Sequence, residues 1–212
     1  IINNPVHLDM EEACGFVKPS FMFNVIMDSY GNISAAVAGD CIKAHAQGRR
    51  YVDESDCAYI KEKADLVIAT AGGYPKDINF YQSSKLLMNS REAAKIGGTI
   101  IALTQCSEGL GGDDDVRAIL ANYDNLIDRE KSLRESYTIS KHVGCLSCET
   151  AYNFNLIVVS DLDPKFFKNT GIKIVKTIDE ALNLTYAEKG INLKTYIMPH
   201  GSNTLPKLLP ID

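Results

Sequence analysis

Apolar and polar residues alternate in two different ways along this chain, and the change comes near Lys61. Before it the pattern is mixed. Residues 5–16 have helical spacing, with Asn4 ahead of Pro5 as an N-cap. Residues 21–27 and 33–37 read as strands around Asp28-Ser29-Tyr30-Gly31-Asn32, which predicts a hairpin. Asp40 then caps a helix expected to run to about Gln47 and to stop at Gly48. From Lys61 onward short apolar runs alternate with helical segments, at residues 65–70, 99–104, 156–160, 173–176 and 195–198. This alternation predicts an α/β fold with a mostly parallel, Rossmann-like open sheet and helices on both faces. The helix and hairpin segment precedes it, so the expected division is residues 1–60 and residues 61–212.

Two strand-to-helix crossovers concentrate the polar chemistry. In the first, the buried run Leu66-Val67-Ile68-Ala69 ends at Gly72 and Gly73, Pro75 and Asp77 follow, and a helix begins. Open α/β sheets bind ligands outside the carboxyl ends of their strands. Tyr81, Gln82 and Lys85 are spaced three and four apart, so they can share one helical face. A phenol, an amide and an ammonium near a positive helix N-terminus suit a small carboxylate, although the same spacing also describes a solvated helix face. The second crossover carries Cys106, Glu108, Gly109 and Gly111, where glycines permit positive φ and close approach to a ligand. A tight turn without a ligand is the alternative there. Neither a dinucleotide fingerprint nor a P-loop is present.

A length of 212 residues, 45% of them apolar and 23% charged, suits one sizeable domain or a domain with a smaller appendage. A net charge of −5 with no basic run argues against a nucleic-acid partner. No apolar stretch is long enough for a membrane span, and six cysteines without a secretory signal suggest cytoplasmic thiols. Because the chain begins at Ile1, it is expected to be a processed product or a fragment.

His142-Val143-Gly144-Cys145-Leu146-Ser147-Cys148 is the rival motif, since Cys-x-x-Cys with a nearby histidine can serve metal or redox chemistry. It follows a polar helical stretch, Lys131 to Lys141, and no second cysteine pair completes a zinc site, so thiols buried on a helix are expected. His7 and His45 fall on helices as surface or capping residues, and His200 ends the last strand, where it could face the crevice of Lys85. Asp113-Asp114-Asp115 reads as the first turn of a helix rather than a metal site.

Both crossover motifs, together with Asn4-Pro5-Val6-His7-Leu8-Asp9-Met10-Glu11-Glu12-Ala13 and Ala38-Gly39-Asp40, resemble the nickel-pincer-dependent lactate racemase family. The resemblance runs from about Asn4 to Leu162. It implies an isomerase that racemises or epimerises a 2-hydroxy acid by hydride transfer on a nickel-pincer nucleotide. It further implies that residues 61–212 are the carboxy-terminal, substrate-binding lobe and that residues 1–60 are the tail of an amino-terminal lobe. The lysine tether and histidine ligand of the cofactor belong to that missing lobe, so no catalytic residue, metal ligand or bound cofactor is expected in this chain alone.

By the same resemblance, Tyr81, Gln82 and Lys85 hold the substrate carboxylate. Gly72, Gly73, Pro75, Asp77, Cys106, Glu108, Gly109 and Gly111 form the supporting loops. The best-known racemase of the family also lines its pocket with a tryptophan from this lobe. This chain has none, a departure that sets lactate itself in question and leaves room for a larger or more polar 2-hydroxy acid. Expected partners are that acid, the amino-terminal lobe and, across apolar surface, a second copy. Two other readings stay open: a non-catalytic carboxylate-binding module, and a metal or redox protein built on His142, Cys145 and Cys148.

Overall fold

The computed structural model describes residues 3–28 and 30–209; Ser29 of the expected hairpin turn lies outside them. Two compact units divide the chain, Ile1–Cys57 and Ala58–Asp212.

In the first unit, helix α1 (Pro5–Val17) starts where the Asn4 side chain accepts from the amides of Val6 and His7. Strands β1 (Met22–Met27) and β2 (Ile33–Gly39) pair antiparallel, and Asp28 ties their turn by accepting from the Asn32 amide at 2.8 Å. Helix α2 (Cys41–Asp56) is capped by Asp40, which accepts from Lys43 N at 3.0 Å. The helix does not stop at Gly48. It runs through that residue to Asp56, and a Cβ at Gly48 would meet Val37 Cγ2 of the hairpin at 3.5 Å, an ordinary packing distance. A helical glycine costs about 1 kcal/mol relative to alanine, an amount that packing on a small core of Ile26, Val37 and Ala44 can offset. His7 is likewise not a surface residue. It is 8% exposed, stacks on His45 at 5.6 Å and pairs with Glu11 at 3.0 Å.

The second unit holds the parallel sheet. Its strands are β4 (Ala64–Thr70), β5 (Ala94–Leu103), β6 (Asn155–Val159), β7 (Lys173–Val175) and β8 (Thr195–Met198). A separate short ladder joins β3 (Cys57–Ile60) to β9 (Leu205–Leu208). The five strands lie in the order β7-β6-β5-β4-β8, and every pair between neighbours is parallel. Alternate residues of a strand point to opposite faces. On one face Val67, Ala69, Ile100, Ala102, Leu156 and Val158 meet α3 (Phe80–Ala93), α4 (Asp114–Ala121) and α6 (Ile139–Asn153). On the other, Leu66, Ile101 and Ile157 meet Ala181 of α7 (Ile178–Lys189). Helices thus cover both faces, as the strand–helix alternation predicts.

From β4 the chain steps outward through β5 and β6 to β7, then crosses to place β8 on the other side of β4. That reversal makes the carboxyl ends of β4 and β8 the switch point of the sheet, where open α/β folds bind ligands. Asp113 caps α4 as the acidic cluster suggests, accepting from Asp115 N at 3.0 Å. The polar stretch before the cysteine motif is broken rather than continuous. Helix α5 (Leu126–Glu135) ends at Ser136, and Thr138 begins α6 by accepting from Lys141 N at 3.1 Å and donating to Asp115 at 2.7 Å.

Candidate functional site

The two crossover loops are joined through their main chains. Cys106 N donates to Asp77 O at 2.8 Å and Glu108 N to Ile78 O at 2.9 Å. In return Phe80 N donates to Gly109 O at 3.0 Å and Tyr81 N to Leu110 O at 2.9 Å. The Asn79 side chain accepts from Gln82 N at 2.9 Å and so caps α3. The first three amides of this helix are therefore already paired. A carboxylate arriving here would rest on side chains and on the helix dipole, not on free backbone donors.

Those side chains divide into two groups. Lys85 Nζ lies 3.3 Å from Gln82 Oε1 on the exposed face of α3, and among the described residues Lys85 has no carboxylate partner. Tyr81 turns towards the second loop, where its ring lies against Gly112 and the edge of the main core. The structure thus brings Gln82 and Lys85 into direct contact and sets Tyr81 one step around the helix, beside the glycine turn.

Each loop glycine has a local reason. Gly72, Gly73, Gly109 and Gly111 all have positive φ, a conformation that side chains disfavour. Gly111 lies under Asn79, and Gly72 faces His200, whose Nδ1 would be 3.4 Å from a Cβ at that position. His200 is exposed at the end of β8. The turn after it is tied to β4 and α3, since Gly201 N donates to Thr70 O at 2.8 Å and Gly201 O accepts from Asn89 at 2.7 Å. Tyr74 and Pro75 form the exposed tip of the first loop, and Glu108 is exposed on the second.

Beneath the loops lies a buried polar chain that the sequence pattern does not reveal. Ser83 Oγ and Thr104 Oγ1 are 2.5 Å apart, and Thr104 Oγ1 is 3.3 Å from Cys106 Sγ. Burial pushes the Cys106 thiol above its ordinary value, although hydrogen bonds from Thr104, Ser160 and Ser83 oppose the shift. The thiol is thus held protonated as part of the frame. Asn79 was also open to discovery, because an asparagine directly before a helical pattern is a preferred cap.

A shallow cleft of about 410 Å³ opens at the carboxyl ends of the strands, lined among others by Thr70, Gly73, Asp77, Gln105, Ser160 and Lys176. Lys176 Nζ reaches Ser160 O at 3.2 Å and Asp161 at 3.6 Å. Tyr81, Gln82 and Lys85 do not line it. The first unit has its own hollow, between the hairpin and α2, which includes His45 and Arg49.

The rival motif is a piece of core. Cys145 and Cys148 are buried on α6, and burial pushes the Cys148 thiol up to about 12 while raising that of Cys145 as well. His142 sits beside Tyr137, with ring centroids 6.1 Å apart. Among the described residues no group of three or more histidine, cysteine, aspartate or glutamate side chains could hold a metal ion.

The family model of the lactate racemase C-terminal domain matches residues 60–205, a span that takes in both crossovers and the whole parallel sheet. The chain belongs to this family. It is 31% identical over 217 aligned residues to a lactate racemase of Lactiplantibacillus plantarum, covering 98% of this chain and 50% of that protein. A lactate racemase of Thermoanaerobacterium thermosaccharolyticum is 31% identical over 207 residues, covering 96% of this chain and 48% of that protein. The structure of the lactate racemase apoprotein from the same organism superimposes with a TM-score of 0.88 at 30% identity, over 97% of this chain and 50% of that one. A Thermotoga maritima protein shares the fold, with a TM-score of 0.66 at 12% identity over 99% of this chain and 55% of that one. The chain thus spans about half the length of the lactate racemases it matches. No helix among the described residues is long and apolar enough to cross a membrane.

Proposed function

We propose that residues 61–212 form the substrate-binding lobe of an isomerase that inverts a 2-hydroxy acid, with Lys85, Gln82 and Tyr81 holding the substrate's carboxylate. The observation that carries this reading is the Lys85–Gln82 pair, an ammonium on an amide oxygen at 3.3 Å with no carboxylate partner among the described residues. An incoming acid would meet one charged donor and, once the amide rotates, the neutral donor of Gln82. A charge-assisted hydrogen bond of this kind contributes on the order of 1.5–3 kcal/mol when shielded from water. The names of the two 31%-identical relatives support the reaction class. The stitched loops support the positioning role, because the helix that carries these groups is fixed at its first turn.

Burial keeps the thiols Cys106, Cys145 and Cys148 protonated, so none of these three is a ready donor for the nickel-pincer nucleotide that the resemblance implies. This chain's own part is to hold the carboxylate and, on closing against an amino-terminal lobe, to exclude water. Residues 1–60 are proposed as the tail of that lobe. The test uses the chain extended upstream to the length of its relatives and supplied with the cofactor. Incubation in D₂O with a panel of 2-hydroxy acids would report inversion and deuterium uptake at C2. Inversion of one acid, lost in Lys85→Ala while the fold persists, is the expected outcome. Normal turnover in that variant would end the proposal.

A further inference from the structure

Helices α1 and α2 bring together two thiols that the isomerase reading does not use. Cys14 in the last turns of α1 and Cys41 at the first position of α2 lie 27 residues apart in sequence and 3.5 Å apart at sulfur. Both are partly exposed, unlike Cys106, Cys145 and Cys148, which are buried. The contact is directional, with the Cys14 thiol donating to the Cys41 sulfur. This bond, with burial and nearby carboxylates adding to it, keeps the proton on Cys14. Cys41 accepts that bond and stands at the first position of α2, so it is assigned the attack on an incoming disulfide. Closing from this separation to the roughly 2.05 Å of a disulfide needs a shift of about 1.5 Å, within the reach of side-chain rotation. Metal binding does not account for the pair, since no third ligand completes a site among the described residues.

We propose that Cys14 and Cys41 are a modification site, a dithiol that low-molecular-weight disulfides such as oxidised glutathione convert to an intramolecular disulfide. Cys41 gives its proton to water and attacks one sulfur of oxidised glutathione. The glutathione S–S bond breaks, one glutathione thiolate leaves, and Cys41 carries the other as a mixed disulfide. Cys14 then gives up its proton and attacks the Cys41 sulfur, which expels the second glutathione. Two protein thiols are oxidised to one disulfide, and one glutathione disulfide is reduced to two thiols. Cys57 is an internal control, because its sulfur has the Asp53 carboxylate beside it at 3.6 Å rather than a second thiol, so it should stop at the mixed disulfide.

The experiment treats the reduced 212-residue chain with oxidised glutathione, alkylates remaining thiols after unfolding, and maps peptides without reductant. The expected result is a linked Cys14–Cys41 peptide pair, two hydrogens lighter than its parts. Alkylation at both positions should be lost while Cys106, Cys145 and Cys148 stay fully alkylated. Cys41→Ser should remove the cross-link and leave Cys57 as before. Cys14 and Cys41 remaining alkylatable, or each ending as a separate glutathione adduct, would overturn the proposal. So would a stoichiometric metal ion on the purified chain that Cys41→Ser releases.

Discussion

Asn79 lies over Gly111 so closely that a Cβ on the glycine would stand 2.1 Å from the asparagine's side-chain carbonyl carbon. The same asparagine caps α3 by accepting from Gln82 N. Gly111 is therefore the space that the cap occupies, and its φ of +63° is one that an alanine adopts only with strain. Gly111→Ala should cost about 1–2 kcal/mol for the backbone and about 1 kcal/mol for the displaced cap. Placed in an Asn79→Ala background, the same substitution should cost only the backbone part. Urea unfolding of the four proteins measures that coupling, and strict additivity would refute it.

Lys85 is exposed, so its loss should leave stability within about 0.5 kcal/mol of the parent. Lys85→Ala should nevertheless weaken binding of a small 2-hydroxy acid to the extended chain by roughly 10-fold or more, as expected for losing one charge-assisted bond. Lys85→Arg should not restore it fully, because a planar fork cannot reproduce a compact ammonium. Calorimetry paired with thermal melting separates the two effects.

Arg129 on α5 is 1% exposed and donates to four carbonyls, those of Ile119, Leu120, Tyr123 and Asn169. The first two belong to the last turn of α4, whose dipole favours a cation. Arg129→Met keeps much of the volume but strands these acceptors, at about 1–3 kcal/mol for each that water cannot reach. A loss of at least about 3 kcal/mol is expected in urea titrations. Arg129→Lys should recover only part of it, since one ammonium cannot reach all four.

Thiol reactivity should divide the six cysteines. With its thiol pushed up to about 12, Cys148 should ignore a water-soluble disulfide reagent in the native protein at pH 8, as should Cys145 and Cys106. All three should react at once on unfolding. Fast labelling of Cys148 in the folded chain would contradict the buried placement.

The base of the sheet should be acid-sensitive through Asp65. Its side chain takes a hydrogen bond from Lys95 at 2.7 Å and another from Lys194 N at 3.0 Å, and both hold its carboxyl below the ordinary 3.8. A lowered folded-state value means that the stabilisation is present above 3.8 and is lost as pH falls through the folded value. Thermal melts from pH 6 downward should therefore fall more steeply in the parent than in Asp65→Asn. Parallel curves would remove Asp65 from the account.

The parallel sheet was legible because its strands are apolar runs of strand length, separated by helical periods. What escaped was whatever depends on one element approaching another. Strands β3 and β9 are four residues each, and Leu205-Pro206-Lys207-Leu208 carries a proline that argues against a strand until a lone partner accepts it at an edge. Gly48 has the signature of a helix stop, yet the helix runs through it with that position turned towards Val37 of the hairpin. The spacing of Tyr81, Gln82 and Lys85 was enough to put them in the first turns of one helix, where the structure has them. Their division could not be read from it, since only the folded second loop draws the Tyr81 ring towards Gly112.

The stitching of the two crossover loops has a consequence for how such a lobe changes over time. All four bonds that align residues 77–81 with 106–110 run from amide to carbonyl, and no side chain is a party to them. Exposed positions such as Tyr74 and Glu108 can then drift without loosening the helix that bears Lys85. Tolerance at the rim and constancy beneath it separate the two tasks, so substitutions at such exposed positions are expected to be close to neutral for folding.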